Sequence, residues 1–147
     1  MSQEPDFTDA QLLEADIDTL QQMMNKGSLT STRLVQFYLH RIEQYNHQGV
    51  GLNAVQYLNP DVMTQARNSD AERAASGPRS ALHGIPVLVK DNYETAGMPT
   101  SAGSILFAGF SPDRDAEQVS RLKAAGAIIL GKTTMHEFAY GITNQGS

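Results

Sequence analysis

The run Gly126-Ala-Ile-Ile-Leu-Gly131-Lys132-Thr133 has the spacing of a phosphate-binding loop: Gly, four residues, Gly, Lys, then Ser or Thr. Such a loop works when its backbone N–H groups wrap an anion between a preceding strand and a following helix. Here the intervening Ala, Ile, Ile and Leu read as a strand themselves, and in a phosphate cradle they would expose large apolar side chains. The expectation is that Gly126 stops a helix, Gly131 ends a strand and Lys132 sits near the surface. His136-Glu137 opens like a zinc-protease motif, but Tyr140 stands where the second histidine is needed. His40 and His47 fall at the polar end of a helix and read as surface residues. With no cysteine there is neither a thiolate metal site nor a cysteine nucleophile, and no Gly-x-Ser-x-Gly elbow presents a serine.

Lys90 is the remaining candidate. It follows the apolar run Val87-Leu88-Val89, and in an open α/β sheet the carboxyl ends of the strands are where ligands and catalytic groups collect. A lysine pressed against apolar walls loses the solvation that stabilises its charged form, and the neutral amine is a competent general base. Two blander readings compete. Strand-end lysines commonly lay their methylenes along the sheet and put the ammonium in water, and Asp91 beside it is placed to pair with it and hold it charged. Spacing alone leaves these open.

The elements that would position Lys90 change character near Ser80. Before it the pattern is helical: Ile17, Leu20 and Met24 share a face of a helix over 14–26 that Gly27 ends. Ser28 to Ser31 offer N-caps for a second helix carrying Leu34, Val35, Tyr38, Ile42 and Tyr45. Asn53 to Leu58 reads as a strand, and Pro60 opens a third helix that stops near Ser76-Gly77-Pro78. After Ser80 the pattern is α/β. Ile85 to Val89 and Ala127 to Leu130 read as strands buried on both faces, with a helix over 115–125 between them, so a βαβ crossover is the economical topology. The connection from Asp91 to Arg114 is too long for a simple crossover. Its glycines, serines and two phenylalanines mark it as functional rather than disordered. The expected fold class is therefore α/β: N-terminal helices over 1–79, then part of a mixed, mainly parallel sheet over 80–147.

Composition bounds the function. At 147 residues with 40% hydrophobic content the chain has the size of one domain. Its net charge of −5, from 11 basic against 16 acidic residues, with no basic stripe, argues against nucleic-acid binding. Residues 1–9 lack the basic and apolar regions of a signal peptide, and no stretch approaches the roughly 18 apolar residues of a membrane span. Together with the absence of cysteine, this gives the expectation of a soluble, unprocessed, cytoplasmic protein.

Several runs in order, Leu82-His-Gly-Ile-Pro-Val-Leu-Val-Lys90-Asp-Asn92, Thr100-Ser-Ala-Gly-Ser104, Asp115-Ala116, Arg121 through Thr133 and Met135-His-Glu-Phe138, closely resemble the amidase signature family. Gly27-Ser-Leu-Thr-Ser31 and Tyr38-Leu-His-Arg-Ile42 extend the resemblance toward the N-terminus. It implies hydrolysis of carboxamide C–N bonds by a serine nucleophile, a second serine on a cis peptide bond, and a lysine, without metal or organic cofactor. By this resemblance Lys90 is the catalytic lysine, and Tyr140 and Gly141 approach the acyl pocket, a structural role at the end of a helix being the alternative for these two. The family's serine-rich region belongs after Gly141-Ile-Thr-Asn144, and neither Ser101, Ser104 nor Ser147 fills its place. The implied reading is the N-terminal part of an amidase, inactive alone, whose partners are a small amide substrate and a complementary C-terminal segment or a second copy. A non-catalytic module that pairs through its sheet edges is the alternative. Nucleotide binding through Gly126 to Thr133 comes last.

Overall fold

The computed structural model describes residues 9–141. Two short helices, α1 (Asp9–Leu13) and α2 (Ile17–Asn25), precede the long α3 (Ser31–Tyr45). Strand β1 (Val55–Leu58), helix α4 (Val62–Ser76), strand β2 (Pro86–Lys90), helix α5 (Glu117–Ala124) and strand β3 (Ile128–Thr133) follow. Two single 3₁₀ turns, Ile105–Phe107 and Glu137–Ala139, flank the end of the sheet. Among the described residues no helix is long and apolar enough to cross a membrane.

The first expected helix, over 14–26, is shorter, and α1 precedes it outside that span. Asp16 accepts a hydrogen bond from Thr19 N, so α2 starts at Ile17 behind a capping side chain instead of at Glu14. The N-cap of α3 is Thr30, inside the span the sequence indicates. Its first turn is also held from a distance: the Asp70 carboxylate on α4 accepts from Ser31 N at 2.7 Å, Thr32 N at 3.0 Å and Thr32 Oγ1 at 2.6 Å. An anionic group there meets both the unpaired N–H donors and the positive end of the helix dipole.

The sheet has the order β1-β3-β2, with β1 antiparallel and β2 parallel to β3. The β2–α5–β3 segment is thus the expected crossover. The strand covered on both faces, however, is the central β3. Ile128 and Leu130 pack with Val35, Val62 and Ala66 of α3 and α4, while Ile129 packs on the other face with Val89, Met98 and Val119. Contrary to expectation, β2 is an edge strand, and its Leu88 is 38% exposed. A separate cluster of Leu12, Leu20, Met24, Leu34 and Ile85 fastens the N-terminal helices to the start of β2.

Gly131 does not end a strand. β3 runs on through Lys132 and Thr133, and Gly131 lies in its middle because a Cβ there would collide with the Tyr57 carbonyl oxygen of β1. Gly126, at φ +92, does stop α5 as expected. The parallel register slips by one residue, from Val87↔Ile129 to Leu88↔Gly131, which leaves Leu130 without a partner in β2. An extra residue of this kind reverses the in-and-out alternation beyond it. Lys132 consequently pairs with Val89 and shares the face of Ile129, three residues away rather than two.

Candidate active site

Lys90 is the last residue of β2, at the C-terminal end of the parallel pair, opposite Thr133. Strand alternation puts it on the face of Leu88, and Val89 on the face of α5. Leu88 lines an open cavity of about 390 Å³ with Tyr38, Ile42, Tyr45, Val50 and Leu52. The Lys90 side chain is exposed rather than pressed between apolar walls. The desolvation that the expectation relied on is therefore absent from this arrangement, and among the described residues no carboxylate forms an ion pair with Lys90.

Asp91, its neighbour in sequence, is engaged on the other side. Both Asp91 and Lys132 are 0% exposed, and Lys132 Nζ lies 3.1 Å from Asp91 Oδ1. Lys132 thus departs from the expected surface position: it is the largest fully buried side chain among the described residues. Its ammonium also donates to Thr100 Oγ1 at 2.9 Å and to the Pro99 carbonyl at 3.3 Å. The second oxygen of Asp91 accepts from Ser101 N at 2.9 Å and Ser101 Oγ at 2.5 Å. Burial pulls Lys132 below the ordinary lysine range, and the ion pair with Asp91 opposes that shift. Apart from the ion pair, Asp91 Oδ1 has no hydrogen-bond partner, so the ammonium is what compensates this oxygen inside the fold. The same geometry removes the nucleotide-binding reading, since the Gly126 to Thr133 run is helix cap and strand, with its lysine committed to a carboxylate.

Around this pair the long connection folds into a compact loop. Ala102 N donates to the Asp91 carbonyl at 3.1 Å, Thr100 N to the Phe110 carbonyl at 2.8 Å, and Ala96 N to Asp115 Oδ1 at 2.9 Å. The segment after β3 is tied to it: Phe138 N donates to the Ala102 carbonyl at 2.8 Å, and Ser104 Oγ to Glu137 Oε1 at 2.6 Å. Tyr140 and Gly141 therefore stand on a segment pinned to the loop that follows Lys90. Tyr140 is 86% exposed, and Gly141 lies against the His136 ring. Phe107 packs edge-on with Phe110 and with Phe138, so the loop phenylalanines are structural anchors between the two segments. The residues after Gly141, Ser147 among them, lie outside the described ones. Asp91, Thr100, Ser101 and Lys132 are what sequence reasoning missed. No local pattern marks them; the slipped parallel register of the two strand ends is what brings Lys132 beside Val89.

A family model described as Amidase matches residues 33–147. The chain belongs to the amidase family. A glutamyl-tRNA(Gln) amidotransferase subunit from Anaeromyxobacter sp. (strain K) is 42% identical to this amidase-family chain over 121 residues, which cover 82% of the chain and 24% of the relative. The crystal structure of the native peptide amidase from Stenotrophomonas maltophilia matches with a TM-score of 0.84 and 49% identity, covering 86% of this chain and 26% of that one. An amidase family protein from Bacillus anthracis str. Ames matches with a TM-score of 0.84 and 42% identity, covering 88% of this chain and 26% of its own. The amidase-family chain therefore spans about a quarter of the length of the curated relatives it matches.

Proposed function

We propose that this chain is the N-terminal part of an amidase that hydrolyses carboxamide C–N bonds through an acyl-serine intermediate, with Lys90 as its general base. The supporting observation is the position of Lys90 at the C-terminal end of β2, exposed and without an ion-pair partner among the described residues, while its neighbouring carboxylate is committed to Lys132. In this reading the Lys90 amine takes a proton from a bridging serine, which takes the proton of the nucleophilic serine. That oxygen attacks the amide carbonyl, backbone N–H groups stabilise the oxyanion, and the returned proton leaves with the amine. Water then cleaves the acyl-enzyme. Both serines belong to the part of the family fold that this chain does not span, so the chain by itself is inactive. Tyr140 and Gly141 border the acyl pocket, the substrate is a small carboxamide, and the compartment is the cytoplasm.

The test joins the chain to the downstream region of the Stenotrophomonas maltophilia peptide amidase and assays amide hydrolysis. The joined protein is expected to turn over, and the 147-residue chain alone is not. Lys90→Ala in the joined protein should lower kcat by on the order of 10³-fold, the scale of a lost general base. Turnover by the chain alone would remove the dependence on a further segment, and full activity of Lys90→Ala would remove the role of the lysine.

A further inference from the structure

Lys90 and Asp91 are adjacent in sequence, yet they face opposite sides of the sheet. Val89 packs with Ile129 and Val119 on the α5 face, which places Lys90 on the other face, with Leu88. Asp91 then turns back to the α5 side, where Lys132 meets it. Other carboxylates of the loop and of the segment after β3 are occupied as well. Glu94 pairs with Arg114 at 3.1 Å, Asp115 with Lys123 at 2.7 and 2.8 Å, and Glu137 accepts from Ser104. Asp113 is exposed to water, as is Tyr93, and the His136 ring lies over the backbone of Glu137 and Gly141. The strongest candidate for holding Lys90 charged is thus its own neighbour.

We propose that Lys132 is a positioning residue for Lys90: by pairing with Asp91 inside the sheet it keeps that carboxylate on the opposite face and leaves the Lys90 amine free to take a proton. Three features of the geometry carry this. The slip in register at Leu130 turns Lys132 to the Asp91 side, where regular alternation would have turned it away. Four hydrogen bonds and the ion pair immobilise both partners: two from Ser101 to Asp91 and two from Lys132 to Pro99 and Thr100. Neither partner reaches water, so the pair has no role in solubility or in surface binding. Without the ammonium, Asp91 would be an uncompensated buried charge and would turn toward solvent beside Lys90.

The inference rests on the reading of Lys90 as the base, but its test reads the Lys90 amine directly, so a failed turnover assay and a failed positioning role are told apart. In the 147-residue chain, the rate at which a trace amine-reactive reagent labels Lys90 is followed across pH by peptide mass spectrometry. Lys132→Met should shift the profile to higher pH and slow labelling below its midpoint by roughly 10-fold, the effect of a newly adjacent carboxylate. Adding Asp91→Asn should restore the original profile, a rescue that a purely structural role for Lys132 does not give. An unchanged profile in a folded Lys132→Met chain, or no rescue in the double variant, overturns the proposal. Should Lys132→Met fail to fold, the unaltered chain decides by ¹⁵N NMR of the lysine Nζ signals. The Lys132 signal should move as Asp91 protonates and the Lys90 signal should not; a Lys90 signal that follows Asp91 overturns the proposal.

Discussion

Gly103 shows how tightly single positions constrain the loop behind Lys90. Its φ of +69 lies in the left-handed region, and a Cβ there would stand 2.7 Å from the Met135 carbonyl oxygen. Gly97, in the same loop, has φ +81 but open space around the same position. Gly97→Ala should therefore lose only the conformational preference, about 1 kcal/mol. Gly103→Ala adds a collision with backbone and should lose about 2–3 kcal/mol. Hydrogen exchange at the Phe138 amide, which bonds Ala102 across the junction, reads the difference. Equal acceleration in the two variants would mean that the close approach to Met135 does not hold the segments together. Such positions are only half legible in a sequence. Lys90 is conspicuous because it ends an apolar run and sits in a run that resembles a known family. Lys132 also follows an apolar run, but the one-residue slip at Leu130 turned an expected surface lysine into a buried one, and composition carries no trace of a slip in register.

Helix α3 carries the best example of an element whose ends are set by both local and distant residues. Thr30 Oγ1 accepts from Arg33 N at 3.0 Å, and this cap lies in the Ser28 to Ser31 span that the pattern indicates. Asp70 supplies the other acceptor from α4, a contact across 38 residues. Thr30→Ala should cost about 1 kcal/mol of stability. Asp70→Ala removes three hydrogen bonds to a charged acceptor and should cost on the order of 3 kcal/mol. The double variant should lose less than the sum, because both side chains serve the same turn. Urea unfolding of the four proteins checks this, and strict additivity would show that the two caps act on separate parts of the structure. The helices were legible because 3.6-residue periodicity is local. Their boundaries were less so: α2 begins at Ile17, behind Asp16, instead of Glu14, and α5 begins at Glu117 instead of Asp115. The same holds for the strands: the burial of Ala127 to Leu130 on both faces was read correctly, while that of Ile85 to Val89 was misassigned, since centre or edge depends on sheet order.

On the scale of the whole molecule, the α/β class followed from the sequence because helical and strand patterning are properties of long windows. What three strands do to a parallel pair is a matter of physics beyond the pattern. Sheets of this kind are stable with helices on both faces and neighbours on both edges. Here β3 alone has that cover, while β1 and β2 each present an outer edge that is unpaired among the described residues. Apolar side chains cluster in the exposed regions: Leu88 and Leu52 beside the open cavity, and Ile105 and Leu106, the latter 80% exposed, on the loop behind Lys90. Surface of this kind associates unless another segment covers it. The 147-residue chain expressed alone should therefore run above its monomer mass in light scattering and bind an apolar dye. Addition of the downstream region of the Stenotrophomonas maltophilia peptide amidase should give a one-to-one complex with the dye released. Lys90→Ala should leave that association unchanged, because the amine is exposed and holds no contact in the core. A monodisperse monomer that unfolds cooperatively and binds no dye would show that three strands suffice, and the case for a complementary segment would then rest on catalysis alone.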